Sequence, residues 1–155
     1  VLNFGTNDKS ASHYEYILNI LLKAKIKAKL TDKISEVLWT KYLLMCPLGS
    51  LTSATGKTYG GIMDDARLRK VLKGMMEEVF AIARARKVIL PDDLVDKTMK
   101  LVKSFSPKSK TSMQLDRENG RTTEVDALTF YVCKAGRESR VPTPLHDEVF
   151  SELIK

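Results

Sequence analysis

Cysteine and histidine are scarce in this 155-residue chain, with two of each. Cys46 and Cys133 lie in apolar helical contexts, without a second Cys or His at metal-ligand spacing. A disulfide framework is therefore not expected, and a reducing cytoplasm is the default setting. His13 and His146 are too far apart in sequence to suggest a metal site, so no metal is expected. No apolar run approaches the roughly 18 residues that cross a membrane, which speaks against a membrane partner. No G-x-G-x-x-G occurs, so the chain lacks a dinucleotide-binding fingerprint. Gly56-Lys57-Thr58 has the tail of a phosphate-binding loop. Leu51, however, occupies the place of that motif's first glycine, and the stretch follows a helix rather than a strand. A Gly-rich turn is the better account. The opening "VLNFGTNDKS" has no charged region ahead of an apolar core, so it does not read as a signal peptide. It begins without Met and reads as a cut from a longer chain.

What is present is an ordinary globular composition, 43% hydrophobic, with length enough for one domain and a sizeable core. The net charge of +7 permits an anionic partner without choosing one. Lys23, Lys25, Lys27 and Lys29 alternate with small or apolar residues and invite a nucleic-acid reading. No aromatic residue is interleaved to stack bases, so a solvated edge is the better account and no nucleic-acid partner is expected.

Helical periodicity dominates. Apolar residues at 14, 17, 18, 21 and 22 predict a helix from about Ser10, with Ser10 or Ser12 as cap. "KIKAKL" alternates with period 2 and predicts a short extended piece. "TDKISEVLWTKYLLMC" predicts a helix capped by Thr31 or Asp32 and broken or kinked by Pro47 and Gly49. Further helices are predicted from about Asp64 to Arg86, from Pro91 to Phe105, over "RTTEVDALTFYVCKAG" with Gly136 as its end, and from Thr143 onward with Pro144 in the first turn. "SPKSKTS" and the residues around Ser112 read as loop. Residues 1 to 6 read as one strand with no sheet to join. There is no internal repeat. The class is all-α.

One residue breaks the pattern. Lys41 shares a helix face with Ile34, Val37, Leu38 and Met45, while Trp39, Leu43, Leu44 and Cys46 make the other sides apolar. A helix apolar nearly all round is expected to be buried. Lys41 is then either snorkelling to solvent or held in a pocket, where a lysine is suited to proton transfer. Glu124 falls in the first turn of a predicted helix, where a carboxylate matches the helix dipole. Ser112 reads as a loop or cap hydroxyl.

Together these segments resemble a known family. "W-x-K" at Trp39–Lys41, "SM-x-x-D" at Ser112–Asp116, "GR-x-TE-V-D-x-L" at Gly120–Leu128 and "TP" at Thr143-Pro144 look like the C-terminal helical domain of ketopantoate reductases, a bundle of the 6-phosphogluconate dehydrogenase-like type. The resemblance covers nearly the whole chain. It implies that residues 1–6 are the last strand of an N-terminal Rossmann domain and that 7–155 are the helical substrate-binding and dimerisation domain. It implies an NADPH-dependent oxidoreductase of pantothenate biosynthesis, acting on a small-molecule 2-oxo acid, with the cofactor held mainly by its own N-terminal domain and a homodimer as assembly. Lys41 matches the general acid and would face the interdomain cleft. Ser112 matches a substrate-binding hydroxyl. Glu124 matches the acid that orients the lysine, near substrate and cofactor. Lys41 and Glu124 are then expected within a few ångströms of each other. The isolated domain is expected to be inactive.

The chain also departs from the pattern. The family commonly has asparagines four and eight residues after the lysine; here the substrate-binding positions carry Met45 and Gly49, and neither side chain offers an amide. The usual glycine after "D-x-L-x" is replaced by Phe130. Weaker handling of ketopantoate is expected, with a preference for 2-oxo acids that have bulkier or less polar tails. The alternative is a paralogue with altered substrate or lost catalysis, acting as a binding or assembly module.

Overall fold

A computed structural model describes residues 1–155, with Lys9 described by its backbone alone. The chain divides into two compact units, Val1–Lys41 and Tyr42–Lys155.

In the first unit, strand β1 (Leu2–Gly5) is followed by a 3-10 turn (Lys9–Tyr14), helix α1 (Glu15–Lys23) and strand β2 (Ala28–Thr31). Of the alternating lysine segment, Ala28–Leu30 forms part of the strand, whereas Lys23 ends α1 and Lys25 sits in a turn. The expectation that residues 1–6 have no sheet to join is corrected: β1 pairs in parallel with β2, Leu2 opposite Ala28 and Gly5 opposite Thr31. A parallel pair needs a crossover, and α1 supplies it. The cap of the first turn is Asp8, whose carboxylate accepts from Ser10 N, rather than a serine. None of the residues of α1 is buried. Tyr16 and Ile20 are each 61% exposed and Leu22 is 50% exposed.

Helix α2 spans Ile34–Thr55. Its start is fixed by Thr6 O, which accepts from Ile34 N, and by Asn7 Oδ1, which accepts from Ser35 N at 2.8 Å. Of the break or kink expected at Pro47 and Gly49, a break is absent: both residues lie inside the helix. A mid-helix proline costs about 3 kcal/mol. Burial of Leu43, Leu48 and Leu51, each at most 3% exposed, contributes roughly 1.5–3 kcal/mol apiece and outweighs it.

The second unit is built around helix α4 (Ala66–Ala85). The helix expected from about Asp64 to Arg86 is α4; a short helix α3 (Tyr59–Asp64) precedes it, and Asp65 caps α4 by accepting from Arg67 N and Leu68 N. Leu72, Met75, Met76, Val79, Ile82 and Ala83 all face the core. Helix α5 (Leu94–Ser104) follows, then α6 (Ser112–Glu118), a π-helical turn (Asp126–Phe130), α7 (Tyr131–Ser139) and α8 (Pro144–Leu153). The segment read as loop around Ser112 is therefore a helix, capped by Thr111, whose hydroxyl accepts from Gln114 N. Gly136 does not end α7, which runs on to Arg140 in the left-handed conformation. Gly136 is there for space: a Cβ would stand 2.6 Å from Thr143 Cγ2 and 2.8 Å from Val141 O.

A buried polar seam crosses this core. Glu78 on α4 accepts from Leu145 N and His146 N, and its Oε2 lies 2.6 Å from His146 Nδ1. One carboxylate so satisfies the open N-terminus of α8, where the dipole favours negative charge. His146 Nε2 lies 3.8 Å from Cys46 Sγ, which lies 3.9 Å from Ser50 Oγ, which lies 2.7 Å from Thr129 Oγ1. Burial pushes the Cys46 thiol up to about 12, so it stays neutral and serves packing. Among the described residues no group of His, Cys, Asp and Glu is arranged to hold a metal, and no helix is long and apolar enough to cross a membrane.

Candidate functional site

Three elements of the second unit converge on one hollow. Helix α2 presents Leu44, Met45, Leu48 and Gly49. The loop before α6 and its first turn present Lys110, Thr111, Ser112 and Met113. The segment leading into the π-turn presents Glu124 and Leu128. Tyr59 and Phe105, with ring centroids 5.8 Å apart, complete a cavity of about 240 Å³. Burial raises the Tyr59 phenol above its ordinary range, so it stays protonated.

The geometry has identifiable causes. In the π-turn, Phe130 N bonds back five residues to Val125 O. Such wide turns recur at functional sites. Tyr42 donates to Leu128 O at 2.7 Å and Ala127 O at 3.2 Å, tying α2 to the turn. Burial pushes the Tyr42 phenol well above its usual value, which keeps it a donor. The Thr52 and Thr111 hydroxyls meet at 2.9 Å, tying α2 to α6. Gly49 leaves room: a Cβ there would make only ordinary contacts, 3.7 Å from Leu128 Cδ1 and 3.8 Å from Met113 Sδ.

The structure thus brings together four of the positions singled out in the sequence: Met45, Gly49, Ser112 and Glu124. Ser112 is the first residue of α6. Glu124 sits just ahead of the π-turn instead of inside a helix turn, with its backbone carbonyl accepting from Leu128 N. Its carboxylate is exposed and, among the described residues, has no ion-pair or hydrogen-bond partner. Lys41 belongs to the first unit. The expectation that its helix is buried all round is corrected. Lys41 is exposed, as are Leu38 at 56% and Met45 at 45%, three and four residues away on the same face of α2. Burial is confined to the part of the helix from Leu43 onward.

Sequence reasoning missed Lys110, Thr111, Tyr59 and Phe105 as lining residues. Lys110 fell inside a stretch read only as polar loop. Its ammonium sits 2.6 and 2.8 Å from the Glu118 oxygens and holds the Glu118 carboxyl below its ordinary range. A second hollow, about 660 Å³, shares Tyr59 and Phe105 but contains none of the residues chosen from the sequence. Chemistry rather than size selects the smaller one.

The chain spans about two fifths of the length of the curated relatives it matches. It is 33% identical over 131 residues to the 2-dehydropantoate 2-reductase of Mesorhizobium japonicum, covering 84% of this chain and 40% of that protein. It is 30% identical over 122 residues to the 2-dehydropantoate 2-reductase of Caulobacter vibrioides, covering 79% and 41%. The crystal structure of a PanE/ApbA family ketopantoate reductase from Ralstonia eutropha superposes with a TM-score of 0.86 at 25% identity, covering 98% of this chain and 49% of that one. The family model for the ketopantoate reductase PanE/ApbA C terminal matches residues 33–155. With its helices in that order and Ser112, Met113, Glu124 and Leu128 of the two longer motifs at one cavity, this chain belongs to the ketopantoate reductase family and represents its C-terminal helical domain.

Proposed function

We propose that this chain is the substrate-binding domain of an NADPH-dependent 2-oxo acid reductase resembling 2-dehydropantoate 2-reductase, a cytoplasmic enzyme of pantothenate biosynthesis. The observation that carries the reading is the convergence of Met45, Gly49, Ser112 and Glu124, from three separate elements, on one cavity. Residues 1–6 then belong to an N-terminal Rossmann domain that holds most of the cofactor. The parallel β1–α1–β2 arrangement supports extending that assignment to Thr31, because parallel strands occur almost only in sheets covered on both faces. A homodimer is the proposed assembly.

The bound nicotinamide supplies the hydride. The chain's own residues supply position and a proton. Ser112 offers its hydroxyl to the substrate. Lys41 protonates the oxygen that gains charge as the carbonyl is reduced, and Glu124 orients that lysine near substrate and cofactor. An unpaired carboxylate on the cavity wall suits this role, since it is available to a cation. Met45, Leu44, Leu48 and Leu128 make an apolar wall, and Gly49 leaves space beside it. The tail accepted is accordingly bulkier or less polar than that of ketopantoate, because positions 45 and 49 offer no amide to reward a substrate hydroxyl.

The test is steady-state kinetics of the full-length protein with NADPH and a panel of 2-oxo acids. Lys41→Ala is expected to lower kcat by about 10²- to 10⁴-fold, the usual worth of a positioned general acid. The 155-residue chain alone is expected to show no turnover. Met45→Asn with Gly49→Asn is expected to shift preference toward ketopantoate by roughly tenfold or more. A full-length protein that reduces no 2-oxo acid would favour the alternative, a paralogue that binds without catalysing; the loss of both amide positions is the observation behind it.

A further inference from the structure

The substrate class proposed above carries a carboxylate, and the inference here rests on that reading. A carboxylate entering the cavity meets Glu124 on the wall and so needs a cation. Of the described residues that line the cavity, only Lys110 is cationic. Its side chain is 34% exposed and engages both oxygens of Glu118. Glu118 is itself held by Gln114, whose Nε2 donates to Glu118 Oε1 at 3.0 Å, and Gln114 is 1% exposed. The acceptor, itself exposed, is therefore held by a buried side chain while the lysine remains at the cavity.

We propose that Lys110 binds the substrate carboxylate, resting on Glu118 until that carboxylate enters the cavity. A partly exposed ion pair is weak because water screens it, so the ammonium turns toward a new partner at little cost. A lysine ammonium has three donors and keeps a contact to Glu118 as it takes up the ligand. Glu118 thus serves as a parking site that keeps the long side chain ordered and at hand. The hydrogen bond to an ionised ligand is of the stronger, charge-assisted kind. Lys110 stands two residues before Ser112, so one short segment delivers both the cation and the hydroxyl.

The experiment uses the full-length protein and three variants: Lys110→Met, Lys110→Arg and Glu118→Gln. KM and kcat are measured for the best 2-oxo acid of the panel and for its neutral methyl ester. Lys110→Met is expected to raise KM for the acid by about 10- to 100-fold, with kcat and the KM for the ester little changed. Lys110→Arg restores most of the acid preference. Glu118→Gln is expected to raise KM for the acid several-fold less than Lys110→Met does, since it loosens the parking site and does not remove the ligand's partner. An equal rise in KM for Lys110→Met and Glu118→Gln would make the pair structural and overturn the assignment. So would an unchanged acid-to-ester preference in an active Lys110→Met enzyme. Calorimetric titration with oxamate, an unreactive carboxylate, needs no turnover: at least tenfold weaker binding to Lys110→Met supports the assignment, and equal binding refutes it. A wild type that binds oxamate through Lys110 but reduces no 2-oxo acid would overturn the enzymatic reading alone.

Discussion

Helix α1 and helix α4 carry the same apolar period, yet α1 has no buried residue and α4 buries Leu72, Met75, Met76, Val79, Ile82 and Ala83. The contrast extends to their units. Val1–Lys41 is a two-stranded parallel sheet with one crossover helix, and it leaves Leu2, Tyr16, Ile20 and Leu22 at least half exposed. Tyr42–Lys155 holds nearly all of the buried side chains. Periodicity reports that a helix has a face requiring cover. It does not report whether the chain in hand supplies the cover. Two parallel strands are too few for independent stability, which accords with the proposal that the first unit is completed by a larger N-terminal domain.

The comparison is sharpened most by the seam beneath α8. Glu78→Ala leaves two backbone N–H groups and a buried imidazole without their acceptor. A loss of about 3–5 kcal/mol is expected from denaturant unfolding of the second unit. A loss under 1 kcal/mol would mean that the unit is less tightly specified than its burial implies. Gly136→Ala should cost about 1–3 kcal/mol, because the new methyl group meets Thr143 and the Val141 carbonyl and the core has no slack there.

The buried thiol gives a pH signature of the same unit. Cys46 rises to about 12 in the fold from its ordinary value of 9.0. The folded state then keeps a proton that the unfolded state releases, so this contribution is intact below pH 9 and is lost as pH rises toward 12. The slope is about 1.4 kcal/mol per pH unit in that window. Unfolding of wild type and Cys46→Ala at pH 8, 9 and 10 checks it: the slope of the variant should be shallower by that amount, while burial of the Cys133 thiol and the Tyr42 phenol leaves it a remaining decline.

Gly49→Ala should behave oppositely to Gly136→Ala. Its methyl group finds ordinary contacts, and alanine is favoured over glycine in a helix by about 1 kcal/mol. A rise in thermal stability is expected, and a fall would contradict the open space at the cavity. The smallest effect belongs to the first unit. Ile20→Ala, at a residue 61% exposed, should change the stability of the 155-residue chain by no more than about 0.5 kcal/mol. In a longer protein the same change should cost about 2–5 kcal/mol if the proposed N-terminal domain covers α1. Equal, small effects in both lengths would remove that proposal.

The sequence alone determined the all-α class, the extended lysine segment, the helices α5 and α8, and the membership carried by Trp39–Lys41, Ser112–Asp116 and Gly120–Leu128. These are local properties: side-chain period, capping residues and short motifs are written along the chain. Tertiary structure decided the rest. Pro47 remains within a helix because burial of Leu43, Leu48 and Leu51 exceeds its local cost. Helix α6 has seven residues, too few to show a period, and it stands because Thr111 caps it and Met113 and Gln114 are buried. Gly136 reads as a helix end by type, whereas it is a point of close approach to Thr143. Glu78 and His146 look like surface charges until α4 and α8 bring them together. Lys110 is one lysine among many until the cavity selects it. In each case the deciding energy comes from partners distant in sequence, which local pattern does not encode.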